Sequence, residues 1–180
     1  MKITLVRHAQ VIEEFQGKYN GHIDIPLSLD GKKDVKKLAK KLKAEKFDKI
    51  YCSDLLRARE TLDAFEYKIK PIYTKELREK SWGRHEGKSF QEIQSEGIEY
   101  KNFKQWIDAL DGEDILSYQR KIKNYFYKTI FRQKQQNILV ITHAGVIRTI
   151  LSIVKNCSLE ETFMFKLPYS SHITLNTDKI

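Results

Sequence analysis

The stretch Asn137-Ile138-Leu139-Val140-Ile141-Thr142-His143-Ala144-Gly145-Val146-Ile147-Arg148-Thr149-Ile150-Leu151-Ser152-Ile153-Val154 decides the fold. Ile138 to Ile141 is apolar without alternation, the mark of a strand buried on both faces. Ala144 to Val154 is an apolar helix that begins straight after His143. A strand passing directly into a helix is the building unit of a layered α/β sheet. Thr142, His143, Gly145 and Arg148 break the stretch, so it is no membrane span. No other run approaches the roughly 18 apolar residues that a span needs.

Working outward, Ile3-Thr4-Leu5-Val6 reads as a second buried strand, Lys49-Ile50-Tyr51-Cys52 as a third and Pro71-Ile72-Tyr73 as a short fourth. Ser171 to Asn176 alternates and fits an edge strand. Residues 7 to 30 carry Gly17, Gly21, Pro26 and Ser28 and are expected to be mostly loop. Ser28-Leu29-Asp30-Gly31 opens a helix. Ser53 or Asp54 is expected to cap another that runs to about Tyr67. Ser89-x-x-Glu92 is a capping box for a short helix ending at Gly97. Further helices are expected over Tyr100 to Leu110 and from about Glu113 to Lys134. The fold expected is α/β, a three-layer sandwich with a mostly parallel sheet, helices on both faces and a small helical cap. No linker divides the chain, so residues 1–180 read as one domain with a cap insertion at about 88–112.

The 180 residues are 41% hydrophobic and 32% charged, a globular composition with a sizeable core. Cys52 and Cys157 lie far apart, with neither a disulfide framework nor a zinc spacing. They read as buried free thiols in a reducing cytoplasm. The Ile3–Val6 run is too short for a signal-peptide core, so the expected location is cytoplasmic, with no membrane partner. The net charge is +9, and Lys32 to Lys49 alone holds nine lysines. Val35, Leu38, Ala39 and Leu42 recur there at helical spacing. The lysines therefore read as the solvated face of an amphipathic helix, with no nucleic-acid motif beside them.

Ligands of open parallel sheets bind outside the carboxyl ends of the strands. Arg7-His8, Ser53-Asp54 with Arg57, and His143 all fall there. Each is expected beside or within a turn of a helix start, where free backbone N–H groups favour anions. Two histidines and two arginines on one rim suit a phosphoryl group, whose oxygens match arginine forks. His22, His85 and His172 lack that placement. Phosphate-loop, dinucleotide, zinc-protease and nucleophile-elbow motifs are absent.

Five blocks in order resemble the histidine phosphatase superfamily, the phosphoglycerate mutase-like proteins. They are Leu5-Val6-Arg7-His8-Ala9; Tyr19-Asn20-Gly21-His22-Ile23-Asp24-Ile25-Pro26-Leu27-Ser28; Ser53-Asp54-Leu55-Leu56-Arg57-Ala58-Arg59-Glu60-Thr61; Leu77-Arg78-Glu79-Lys80-Ser81-Trp82-Gly83-Arg84-His85-Glu86-Gly87; and Thr142-His143-Ala144-Gly145-Val146-Ile147-Arg148. The resemblance implies a phosphohistidine intermediate on His8. Arg7, Arg57 and His143 would bind the phosphoryl oxygens, and Glu79 would be the general acid. Asn20, Gly21 and Ala144 would join Arg7, Arg57 and His143 in binding substrate. It implies neither metal nor cofactor, a small phosphate ester as partner, no nucleic acid, and a monomer or homodimer. The chemistry is coherent by itself: neighbouring cations keep an imidazole neutral and nucleophilic, and phosphoryl transfer needs positioning and charge neutralisation.

This chain departs from the pattern at Ala9 for a commoner Gly, Val11 for Ser or Thr, Glu14 for Asn and His85 for Trp. Glu14 is expected to turn outward or to meet a cationic substrate group. The short segment Lys88 to Asp111 favours water access, hence a phosphatase over a mutase. Its Phe90, Tyr100, Phe103 and Trp106 are expected chiefly to pack the cap, with one or two lining a leaving-group pocket. The loop Gly17-Lys18-Tyr19-Asn20-Gly21-His22 and the overall size resemble the α-ribazole-5′-phosphate phosphatases. Phosphoserine phosphatase, phosphoglycerate mutase and a phosphate-binding pseudoenzyme are the alternatives.

Overall fold

The computed structural model of the chain describes residues 1–177. Among them are strands β1 (Lys2–Arg7), β2 (Lys49–Ser53), β3 (Ile72–Thr74), β4 (Asn137–Thr142) and β5 (His172–Asn176). They form one sheet in the order β3-β2-β4-β1-β5. β1, β2 and β3 run parallel to their neighbours through β4 and β2, and β5 runs antiparallel along β1 as the edge. The three central strands thus end together at one rim, with Arg7 opposite Thr142.

The apolar run of β4 is continuous because both faces are covered. Ile138 and Val140 face a core with Ile3, Leu5 and the helices α5 (Ile115–Tyr125) and α6 (Ala144–Lys155). Leu139 and Ile141 face the opposite core with Val6, Cys52 and the helices α1 (Leu29–Leu42) and α2 (Leu56–Asp63). The result is the helix–sheet–helix sandwich expected. In α1 the residues Val35, Leu38 and Leu42 are buried and the lysines lie outside. Ser28 Oγ caps it by accepting from Gly31 N at 2.9 Å.

Several boundaries differ from the sequence reading. Neither Ser53 nor Asp54 caps α2; its N-cap is Leu55, without a side-chain cap. Both polar side chains are engaged elsewhere, Ser53 with His143 and Asp54 with Arg78. The helix also stops at Asp63 rather than Tyr67, and Tyr67 stacks on Phe65 instead. The long helix after Glu113 begins at Ile115 under an Asp114 cap and gives way to a π turn over Phe126–Ile130. Ile122, Phe126 and Ile130 are all buried in one core. At four-residue spacing they would drift round an α-helix, and the wider turn keeps them facing inward. Cys52 is buried as expected, whereas Cys157 is only half-buried, just past the left-handed Asn156 that ends α6.

Between β3 and α5 lie two short helices, α3 (Phe90–Ser95) and α4 (Phe103–Ala109). The first carries the capping box read from Ser89 and Glu92. The second is shorter than expected because Asn102, not Tyr100, caps it. Ile93, Trp106, Ile107 and Leu110 form their common core, with Tyr19 and Trp82 packed against it.

Candidate active site

Arg7-His8 at the end of β1 and His143 after β4 meet at the rim, tied by His8 N donating to Thr142 O at 2.9 Å. Arg57 sits in the first turn of α2, and His143 is the N-cap of α6. The expected neighbouring helix start therefore holds for these two. It does not hold for Arg7-His8, which run into a loop holding only a 3-10 turn at Glu13–Phe15. That loop folds back to meet Arg57.

The His8 ring is fixed by Nδ1, which lies 2.8 Å from Ala9 O. A carbonyl only accepts, so Nδ1 carries the ring hydrogen and Nε2 keeps a lone pair. Ala9 is held in turn by its N–H donating to Thr61 Oγ1 at 2.9 Å. The His143 ring lies 5.1 Å from that of His8, between centroids. Its Nε2 is hydrogen-bonded with Ser53 Oγ at 2.8 Å, while Nδ1 is buried with no partner among the described residues. Burial, then Arg57, then Arg7 hold the His8 imidazole well below the usual histidine range. Burial, Arg57 and His8 do the same for His143.

Arg57 is 2% exposed and donates to Ile23 O at 2.8 Å and Gly21 O at 2.7 Å. Gly21 has φ +45°, and a Cβ there would lie 2.2 Å from Glu86 Oε1, so glycine is required at this turn. Arg7 donates to Leu167 O at 2.5 Å and lies 4.1 Å from the Tyr169 ring centroid. Burial lowers both arginines from their ordinary value, Tyr169 and Glu79 opposing this for Arg7 and Glu79 foremost for Arg57. Among the described residues Arg7 Nε, His143 Nδ1 and Asn20 Oδ1 are buried without hydrogen-bond partners. Such groups are costly unless a ligand satisfies them.

Glu79 faces these cations across the rim. Its Oε1 accepts from Lys80 N at 3.0 Å and Tyr118 Oη at 3.2 Å, and its Oε2 accepts from Gly145 N at 3.0 Å. The backbone behind it is braced by His22 Nε2, which donates to Glu79 O at 2.9 Å. Arg78 forms a bidentate pair with Asp54, both N···O distances being 2.7 Å. That pair ties the turn after β2 to the Glu79 segment.

These groups line one end of a cleft of about 410 Å³. Arg7, His8, Asn20, Gly21, Arg57, Glu79 and Ala144 all line it; His143 lies beneath, fully buried. The other end is aromatic. Phe90, Tyr100, Phe103 and Trp106 all line it beside Tyr19 and Trp82, more of them than the expected one or two. They also pack on one another, with Phe90 and Trp106 rings 4.5 Å apart. Glu14 is exposed and does not line the cleft. Among the described residues no group of three or more His, Cys, Asp or Glu is placed to hold a metal ion.

The model of the histidine phosphatase superfamily, branch 1, matches residues 3–179. The chain belongs to that superfamily. Adenosylcobalamin/alpha-ribazole phosphatase of Escherichia coli (strain K12) is 25% identical over 175 residues, covering 93% of this chain and 85% of that protein. Phosphoserine phosphatase 1 of Hydrogenobacter thermophilus is 27% identical over 187 residues, covering 99% and 88%. The solved alpha-ribazole phosphatase of Shigella flexneri superposes with a TM-score of 0.85 at 23% identity, covering 98% of this chain and 90% of that one. This histidine phosphatase is thus an enzyme-family member with the phosphoglycerate mutase-like α/β fold.

Tyr118, Tyr169, His22 and His85 contribute to the site in ways that strand placement does not reveal. Tyr118 lies in the apolar stripe of α5 and reads as core. Tyr169 reaches the cleft only through the path of the 157–171 segment, whereas Arg148, already part of the Thr142–Arg148 block, reaches it from α6. His22 follows no strand end, yet it braces Glu79. His85 likewise is fully buried and accepts from Asp111 N at 2.9 Å, holding the Glu79 loop to the end of α4.

Proposed function

We propose that the chain hydrolyses phosphate monoesters of small metabolites through a phosphohistidine on His8. The observation that carries this reading is the locked His8 ring. Nδ1 is bound to Ala9 O, Nε2 is free to attack, and Arg7 and Arg57 stand on the same cleft wall. Nε2 attacks phosphorus in line, the P–O bond to the alcohol breaks, and the leaving oxygen takes a proton from Glu79. Water then attacks the phosphohistidine, giving its proton back to Glu79, and the N–P bond breaks. Arg7, Arg57 and His143 Nδ1 carry the developing charge on the phosphoryl oxygens. Asn20, Gly21 and Ala144 complete the binding end. The positive charge comes from side chains, so the reaction proceeds in EDTA.

Residues of about 88–112 act as a cap within a single domain spanning the chain. The cap is short and leaves water access to the phosphohistidine, which favours hydrolysis over transfer back to an acceptor. Its aromatic side chains suit a flat, apolar leaving group. α-Ribazole 5′-phosphate belongs to that class and heads the compounds to be tried, since several relatives are named for it. The test is phosphate release in EDTA from α-ribazole 5′-phosphate, phosphoserine, 3-phosphoglycerate and p-nitrophenyl phosphate, beside His8→Ala. Release lost in His8→Ala supports the reading. Isomerisation of 3-phosphoglycerate without release would make the protein a mutase, and binding without turnover a phosphate-binding protein.

A further inference from the structure

Arg148 is a cation of the cleft that the phosphoryl chemistry does not use. It extends from α6, one turn beyond the Ala144-Gly145 start, and lines the cleft beside Phe163. Its guanidinium carbon lies 4.2 Å from the Phe163 ring centroid. Nη1 donates to Thr162 O and, at 3.5 Å, to Phe165 O. Nε and Nη2 make no hydrogen bond to described residues, and no described carboxylate pairs with Arg148. Burial lowers the guanidinium from its ordinary value, with Arg7 adding to this and Glu79 opposing it. Nε and Nη2 are thus open to the cleft and can donate to a ligand anion in place of water. Lys18 also lines the cleft, with no ion pair among the described residues. Glu79 is the one carboxylate on the cleft wall among the described residues, and it is engaged with Gly145 N, Lys80 N and Tyr118. The leaving-group end is therefore aromatic in shape and positive in charge.

We infer that Arg148 forms a second anion subsite, so that the preferred substrate is an aromatic phosphate monoester whose leaving group carries its own negative charge, a carboxylate being the simplest. This rests on the phosphatase reading and narrows it. Such an ester should outrank α-ribazole 5′-phosphate, whose leaving group is neutral. The charged group replaces water at Nε and Nη2, while the ring lies against the aromatic wall.

The test compares phenyl phosphate with 4-carboxyphenyl phosphate by kcat/KM. In parallel, calorimetry compares the non-hydrolysable phenylphosphonate and 4-carboxyphenylphosphonate. The wild type should favour the carboxylated member of each pair by about tenfold, the size of one charge-assisted hydrogen bond. In Arg148→Met both ratios should fall to about one, and Arg148→Lys should keep part of them. A structural role through Thr162 and Phe165 would lower both members of each pair together and leave the ratios intact, which overturns the inference. So would a wild-type ratio near one, or a ratio lost in Lys18→Met but kept in Arg148→Met. Turnover of neither ester, with the phosphonate ratio present and lost in Arg148→Met, would refute the phosphatase reading and keep the anion subsite.

Discussion

Gly145→Ala should give a folded protein that has lost its general acid. Gly145 occupies the first turn of α6, where alanine is the better helix former by about 0.8–1 kcal/mol. A Cβ at this position would lie 2.1 Å from Glu79 Oε1, 3.0 Å from its Cδ and 3.1 Å from Tyr118 Oη. An ordinary carbon–oxygen contact is about 3.3 Å or more, so the carboxylate must retreat by roughly 1 Å. It can do so because it is the end of a flexible side chain, and the retreat breaks the 3.0 Å bond from Gly145 N. Displacement of a reacting group by this much costs about 100-fold, or about 2.7 kcal/mol of barrier. The assay is kcat for a substrate with an alkyl leaving group beside p-nitrophenyl phosphate, whose leaving group needs little protonation. The alkyl ester should slow about 100-fold and p-nitrophenyl phosphate less than about tenfold, with the urea midpoint unchanged or raised. Equal losses on both substrates, or full activity on the alkyl ester, would refute the assignment of Glu79.

Other consequences follow from the same geometry. Glu79→Gln should show the same leaving-group dependence without crowding, so its kcat ratio between the two esters should match that of Gly145→Ala. Asp54→Asn removes the bidentate pair with Arg78, whose side chains are about a quarter exposed. It should cost about 1 kcal/mol in a urea melt and lower kcat by loosening the Glu79 segment. His8 and His143 are both held well below the ordinary histidine value of 6.5 in the folded chain. The unfolded chain therefore binds their protons first as pH falls. Stability is full above pH ~6.5 and declines as pH falls below it. In urea melts the wild type should lose stability as pH falls below ~6.5, and a His8→Ala, His143→Ala double variant should show a shallower slope there. For the same reason any His8 titration in kcat/KM should fall below the ordinary histidine value.

The fold was legible because the Ile138–Ile141 run has no polar face and leads straight into an apolar helix. Only a strand covered on both sides tolerates that. The rim residues were legible for the same reason: once the strands are placed, Arg7, His8 and His143 fall at their carboxyl ends. The cap of α2 was not, since Ser53 and Asp54 look like capping residues until their partners, 90 and 24 positions away, are known. Local sequence offers both side chains a helix N-terminus, and the tertiary contacts win. Tyr118 was hidden because an aromatic at helical spacing is ordinarily core, and only its hydroxyl, reaching Glu79, distinguishes it. Tyr169 reaches the cleft through a loop path that no periodicity encodes, whereas Arg148 stands on α6 within the Thr142–Arg148 block.

The most direct test of the account is to quench turnover of a phosphate ester in alkali and locate the phosphoryl group on the protein by mass spectrometry and phosphorus NMR. The account predicts an acid-labile, alkali-stable phosphohistidine on His8 through Nε2, absent from His8→Ala and longer-lived in Glu79→Gln. Phosphate on Nδ1, on another residue, or nowhere while wild-type turnover proceeds would contradict it.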